Sequence, residues 1–553
     1  MNQEERFLQI IREQVEGITE AKLNAARKEK SSSREPLFEV VIRLGILSRA
    51  DSTRFWAEAT GYKYIDLHPD IIEEEAANLI PKSLAEKHRL IPFRLSRGDT
   101  IQVAIYNAAD VVATDMLRRV TKKKIDVYLA DLEKLNDCIG LFYGETASLD
   151  EDIEKNIAAA ISGTIAEGAT QPPYVMLVDL FIKKAVVDRA TDIHISPGEQ
   201  ATRISYRVDG IMRPAHVLPI QLHAGLVTRI KVMSGLNIAE QRLPQGGAIN
   251  FEYSGRYIDI RTSTSPTGYG ENVVLRLLDK ANIVMGLDKL GLSPEDNEKV
   301  VELSLKPHGI VLSAGPTGSG KTTTLYSILQ QIDALERNVL TVEDPIEYRL
   351  AYIKQTQVNN KAGLTFASAI RTFLRQDPDV ILVGEIRDLE TAKIAFRAAM
   401  TGHLVLSTIH TNDSAACIAR LMDLGIESYL IPSCLRAVIA QRLVRRVCKQ
   451  CREEHVFTEH EIKRYDLVQA GLSSELRGKG CRYCGNTGYK GRIAIYEILP
   501  ITTSISELIL RKVSSDQIMA RARKDGMRTM QEDGIEKVRQ GITTVEEVFR
   551  VTG

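Results

Sequence analysis

The residues best equipped for chemistry form one short stretch, Gly315-Pro316-Thr317-Gly318-Ser319-Gly320-Lys321-Thr322-Thr323. Glycines let successive backbone amides curl inward, and a lysine and a hydroxyl follow them. That is the pattern of a loop that cradles nucleotide phosphates. Its surroundings agree: the apolar run Ile310-Val311-Leu312 reads as a strand before it, and Thr323 to Leu329 as a helix after it. The helix N-terminus adds partial positive charge. In such a loop Lys321 reaches the β- and γ-phosphates and the Thr322 hydroxyl ligates magnesium, so the expected ligands are ATP and Mg²⁺.

Binding alone does not hydrolyse, and a hydrolase needs carboxylates near the phosphates. Glu343-Asp344 ends the apolar run Val339-Leu340-Thr341-Val342, and Glu385 follows Val380-Ile381-Leu382-Val383-Gly384. Strand C-termini are where open α/β sheets bind ligands. One carboxylate is expected to orient or deprotonate the attacking water and another to hold the metal hydration shell. Gly384 occupies the place of the usual metal-binding Asp, so residues alone leave the division between Glu343 and Glu385 open. Farther on, His403 and His410 flank the run Leu404–Ile409 and are candidates for sensing the nucleotide.

Two knuckles, Cys448-x2-Cys451 and Cys481-x2-Cys484, are separated by residues 452–480. Four thiolates so spaced suit a closed, structural Zn²⁺ site; a redox dithiol, an iron–sulfur cluster or a nucleic-acid-binding ribbon are the alternatives. Cys138, Cys417 and Cys434 stand alone and are expected to be buried as small apolar residues.

These residues need elements to place them. At 553 residues the chain exceeds one core and predicts several domains. Charged residues are 26% and apolar ones 44%, and 72 basic residues balance 72 acidic ones. No global basic excess therefore points to nucleic acid. No apolar run reaches membrane-spanning length, and the N-terminus lacks signal-peptide features, so a cytosolic location is expected.

Residues 1–36 predict an amphipathic helix, carrying Phe7, Leu8, Ile11, Val15 and Ile18, and a linker. Residues 37–149 read as a small α+β domain, and 150–173 as a flexible linker because Ala158 to Pro173 is rich in small residues. Residues 174–285 read as a sheet with helices at its edges. Residues 286–500 alternate apolar strands with helices, as a mostly parallel sheet covered on both faces requires, with the cysteine insert at 445–492. Residues 501–553 read as helical, with capping boxes at Ser504-x-x-Glu507 and Thr544-x-x-Glu547.

Several further segments together resemble the ATPases of type II secretion and type IV pilus assembly. They are Asp188-Arg189-Ala190-Thr191-Asp192-Ile193-His194-Ile195, Tyr206-Arg207-Val208-Asp209-Gly210, Met233 to Glu240, Arg242-Leu243-Pro244-Gln245 and Gly488-Tyr489-Lys490-Gly491-Arg492. Thr341 to Glu347 and Gly384 to Asp388 join them. The resemblance is strong over about 170–553 and looser over 37–149. It implies a multidomain α/β chain: a RecA-like P-loop NTPase core, a preceding PAS-like α+β domain, an N-terminal α+β domain that docks on a membrane-anchored adaptor, and a four-cysteine zinc insert.

The resemblance also implies a hexameric ring on the cytoplasmic face of the inner membrane, passing ATP-driven closure to a membrane platform protein that moves pilin-like subunits. It makes Glu343 the general base and Glu385 part of the magnesium shell, and it assigns Arg261 and Arg276 to the nucleotide phosphates. Where the family continues Asp-Gly-Arg after Pro244-Gln245, this chain has Gly246-Gly247-Ala248. Arg43-Leu44-Gly45 begins like the family's cyclic di-GMP motif, but Ile46-Leu47-Ser48 breaks it, so adaptor docking is expected rather than cyclic di-GMP. The competing readings are a conjugative-type DNA-transport ATPase, against which the cysteine insert and N-terminal domain weigh, and a nucleotide-gated binding module without turnover, against which the paired glutamates weigh. The short insert leans toward secretion, and Ile495 to Ile501 toward the pilus.

Overall fold

A computed structural model describes residues 2–15, 18–32, 35–77, 79–96, 100–107, 110–143, 145–162, 172–253, 256–279 and 286–553. The chain divides into two compact units, one of Met1–Ile18, Lys30–Ile42 and Arg49–Ile283, the other of Thr19–Glu29, Arg43–Ser48 and Val284–Gly553.

The first unit holds two sheets. The smaller has the order Lys63–Tyr64, Lys124–Leu129, Thr100–Ile105, Leu90–Ser96, with only the last pair antiparallel. Ile91, Phe93, Ile101, Val103, Leu117 and Leu135 fill its core. The larger is six-stranded and antiparallel, in the order Ile211–Pro219, Ala201–Val208, Ala190–Pro197, Gly270–Asp279, Arg256–Thr267, Gln245–Tyr253. The helices Pro173–Val187 and His223–Met233 share its core.

Two expectations change here. The N-terminal residues form two helices, Gln3–Gln14 and Glu20–Ser32, where one was expected. The first starts at an Asn2–Glu5 capping box and buries Phe7, Leu8, Ile10 and Ile11. The expected linker at 150–173 is helical up to residue 162, within the helix Glu145–Ser162. Its small residues extend that helix, since alanine favours the helical state, and Leu149, Ile153 and Ile157 pack into the core of the larger sheet. Residues 163–171 lie outside the described residues.

The second unit is built on a seven-stranded sheet ordered Lys354–Gln357, Val339–Glu343, Val380–Val383, Leu404–Ile409, Gly309–Ala314, Leu435–Val447, Tyr489–Pro500. All neighbours are parallel except the last pair. Gly309–Ala314 and Leu404–Ile409 are buried at every position. Alternate residues serve opposite faces: Ile310, Leu312 and Ala314 join one core, and Val311 joins the other. That is why these strands read as unbroken apolar runs.

The cysteine insert is narrower than expected, because residues 445–447 and 489–492 belong to the paired strands that flank it. Ser504 is not a cap: Thr502 caps Thr503–Leu510, accepting from the Ile505 amide, and Ser504 donates to Asp525 instead. Thr544 does cap Val545–Thr552, but the Glu547 carboxylate turns elsewhere.

Glu547 is fully buried and ties the last helix to the sheet. It accepts from the Arg445 amide at 2.9 Å, the Arg445 guanidinium at 2.7 Å and the Arg550 guanidinium at 2.8 Å. Burial pushes its carboxyl up, and the bonds from Arg550 and Arg445 outweigh that, leaving it at about 2 against an ordinary 4.5. Removing one member of a buried pair strands the other, at a cost of about 3 kcal/mol. Glu547→Gln should therefore speed amide hydrogen exchange in Val545–Thr552 at pH 7. In the wild type this contribution is whole above pH 4.5 and is lost as pH falls toward 2, so protection that is unchanged by the substitution would refute the anchor.

Candidate active site

The phosphate-type loop joins the central strand Gly309–Ala314 to the helix Lys321–Gln330. Gly318 and Gly320 take φ of +78° and +92°, a region that favours glycine. Gly315 is also confined by contact, since a Cβ there would lie 2.7 Å from the Gln441 carbonyl oxygen. Gln441 is a residue the sequence reading missed. Buried on the neighbouring strand, it donates to Ser319 O at 2.8 Å and accepts from Ser313 at 3.3 Å, and so holds the loop from behind. Its only sequence signal is an amide inside the run Val438-Ile439-Ala440-Gln441.

Lys321 is buried, with its ammonium donating to Gly315 O at 2.8 Å and Pro316 O at 2.9 Å. Burial lowers its affinity for a proton, the Glu385 charge opposes this and Arg442 adds to it, leaving the amine at about 8. The Ser319 hydroxyl is buried with no hydrogen-bond partner. A buried cation, an orphaned hydroxyl and glycine-shaped backbone at a helix N-terminus fit a phosphate group. Thr322 and Thr323 lie in the first turn of that helix, half-buried.

Glu385 lies just past Val380–Val383 and is 9% exposed. Arg387 contacts it at 2.5 Å and His410 Nε2 at 3.5 Å. Burial and the Lys321 charge hold the His410 imidazole below its ordinary value. Glu343, the last residue of its strand, is 2% exposed and accepts from Thr341, Gln355 and Tyr326. Gly384 lets these two strand ends meet: a Cβ there would press on the Glu343 Cα and the Val342 carbonyl at 3.3 Å. The position that usually carries an Asp is thus one where a side chain would crowd the neighbouring carboxylate strand.

The expected pair of sensing histidines is divided. His410 stands beside Glu385, but His403 precedes the same strand at its other end, about 20 Å away at the rise of an extended chain. There His403 Nδ1 donates to Ala398 O at 2.8 Å, closing the end of the helix Leu389–Met400. His403 therefore lies at the far end of the strand from Glu385 and His410.

Arg261 and Arg276 lie in the first unit, directly opposite each other on neighbouring strands. They belong to a row across the sheet, Arg207, Asp192, Arg276, Arg261, Ala248. The buried Asp192 carboxylate accepts from Arg276 Nε at 3.0 Å and has Arg207 Nε at 3.6 Å. Ala248, where related sequences are expected to carry an arginine, faces Arg261 at the end of this row.

The four cysteines converge. Sγ separations are 3.8 Å for Cys448–Cys481, 3.9 Å for Cys451–Cys484 and 3.7 Å for Cys481–Cys484, and all four lie within 4.8 Å of one another. Disulfide sulfurs stand about 2.05 Å apart. Sulfurs tetrahedrally placed at about 2.3 Å from a zinc ion stand about 3.8 Å apart, so the cluster has the dimensions of such a site. Cys484 Sγ accepts from the Cys481 and Gly488 amides, which favours a thiolate. Cys138, Cys417 and Cys434 are buried singly.

Comparison with known proteins identifies the family. The family model described as type II/IV secretion system protein matches residues 167–550, and the MshEN domain model matches residues 60–149. The type IV pilus assembly ATPase PilB of Myxococcus xanthus is 37% identical over 548 residues, covering 96% of each chain. Type II secretion system protein E of Xanthomonas campestris pv. campestris is 39% identical over 547 residues, covering 97% of this chain and 96% of that one. The ATPase DotB of Legionella pneumophila, at 24% identity and a TM-score of 0.51, covers 68% of this chain and 95% of its own, and shares the fold. With its family model matched over most of the sequence and full-length relatives on both the pilus and the secretion side, this chain belongs to the type II/IV secretion system protein family and is an ATP hydrolase.

Proposed function

We propose that this chain is the cytoplasmic motor that hydrolyses ATP to drive assembly of pilin-like subunits in a type IV pilus or type II secretion system. The observation that carries the reading is the buried Lys321 ammonium, bonded to the carbonyls of a phosphate-shaped loop and lying in the field of the strand-end carboxylate of Glu385. Relatives named for pilus assembly and for secretion match at comparable identity, which supports a mechanism common to both.

In this reading Gly315 to Thr323 hold the ATP phosphates, and Lys321 bonds to the β- and γ-oxygens. Thr322 and Glu385 belong to the shell of a magnesium ion, which when bound neutralises phosphate charge. Glu343 is the general base: its buried carboxylate, held in direction by the Thr341, Gln355 and Tyr326 donors, takes a proton from the attacking water. Arg261 and Arg276 supply positive charge to the phosphates, and His410 reports on nucleotide through Glu385. Cys448, Cys451, Cys481 and Cys484 hold a structural zinc ion.

The family supports a hexameric ring, with the N-terminal domain docked on a membrane-anchored adaptor and a platform protein receiving the work. Among the described residues no helix is long and apolar enough to cross a membrane.

Lys321→Ala should reduce ATP turnover at least a hundredfold in a phosphate-release assay while leaving the unfolding midpoint in place. Wild-type turnover in that variant would overturn the site. Elemental analysis of the purified chain should give about one zinc per chain, and Cys448→Ser with Cys481→Ser should remove it; a folded chain purified without metal would defeat the zinc assignment.

A further inference from the structure

Glu343 differs from Glu385 in how its charge is supported. Among the described residues no lysine, arginine or histidine pairs with it, although it is 2% exposed. Three neutral donors take the place of a cation. Thr341 Oγ1 donates to Oε1 at 2.6 Å, Gln355 Nε2 donates to the same oxygen at 3.1 Å, and the Tyr326 hydroxyl donates to Oε2.

The donors come from three different elements. Thr341 shares the strand of Glu343, Tyr326 lies on the helix that begins at Lys321, and Gln355 lies on the edge strand Lys354–Gln357. Gln355 is itself fixed, accepting from the Leu350 amide at 2.7 Å and donating to Tyr348 O at 3.0 Å. The Tyr326 and Tyr348 rings meet edge to face with centroids 4.5 Å apart. Burial and the Glu343 charge both push the Tyr326 phenol far up, so it stays a donor at any working pH.

A buried carboxylate paired with arginine would be a weak base, because the cation stabilises the charged form. The neutral donors around Glu343 fix its direction without adding a charge. We infer that Tyr326 and Gln355 are positioning residues for ATP hydrolysis, aligning the Glu343 carboxylate with the phosphate loop from one side and with residues 348–355 from the other. This rests on the reading of Glu343 as general base. Tyr326 sits five residues after Lys321, so the element that carries the phosphate-binding lysine also carries the group that aims the base. Gln355 makes the same aim depend on the segment 348–350, through Tyr348 O and the Leu350 amide.

The test is steady-state ATP turnover of the full chain for Tyr326→Phe, Gln355→Ala and Glu343→Gln, with ATP affinity and unfolding midpoint measured alongside. Tyr326→Phe removes one oxygen atom, and both positioning variants should lower kcat about tenfold to a hundredfold at unchanged KM, as misplacement of a reacting group does. ATP affinity and the unfolding midpoint should stay at their wild-type values, because neither residue is placed on the nucleotide. If both variants keep wild-type kcat while Glu343→Gln loses turnover, the positioning role is wrong and the base assignment stands. If kcat, ATP affinity and unfolding midpoint fall together, the residues are structural and the inference fails. If Glu343→Gln keeps turnover, the base assignment itself falls and this inference with it.

Discussion

The interaction on which the ATPase unit depends is the burial of the Lys321 ammonium at the start of a helix. An ammonium is strongly hydrated in water, and here it has two loop carbonyls and the field of Glu385 in place of that hydration. Such a site favours an anion close to the amine. The loop conformation that puts the lysine there needs glycine at 318 and 320, and it is held from the next strand by Gln441. Phosphate binding is therefore prepared by backbone geometry and by one buried amide.

Parallel strands give this arrangement its direction. Because the five strands from Lys354–Gln357 to Gly309–Ala314 run the same way, their C-terminal ends bring the phosphate loop, Glu343, Glu385 and His410 to one edge of the sheet. Gly384 keeps two of those ends close. The two glutamates then occupy different environments. Glu385 lies among Arg387, His410 and Lys321, whereas Glu343 is enclosed by uncharged donors. Two identical side chains at one end of the sheet thus have opposite surroundings, one charged and one neutral.

Local patterns in the sequence were enough for much of this. The phosphate loop is legible because all its parts are consecutive, and the cysteine cluster because each pair is spaced to share one ion. The central strands are legible because burial on both faces demands apolar residues throughout. Gln441, Tyr326 and Gln355 were not legible. Each works through a contact far away in the chain or across the sheet, and nothing local distinguishes a buried amide or phenol from its surface counterparts. His403 and His410 are seven positions apart and read as one group, but an extended strand carries them to opposite edges. Ala158 to Ser162 read as a linker by composition, although the same small residues continue a helix when its preceding turns find a core.

The most direct measurement of the account is proton uptake on nucleotide binding. An amine at about 8 in the free chain is largely unprotonated at pH 8.5, and contact with phosphate charge raises its affinity for a proton. Titration calorimetry of a non-hydrolysable ATP analogue in buffers of different ionisation enthalpy should show uptake of most of a proton per site at pH 8.5. At pH 6.5, where the free amine already carries its proton, that contribution should vanish. Lys321→Arg should abolish the uptake at pH 8.5, because its guanidinium keeps its charge. Binding heats independent of buffer at pH 8.5, or the same uptake in Lys321→Arg, would contradict the claim that a buried, phosphate-seeking lysine organises the site.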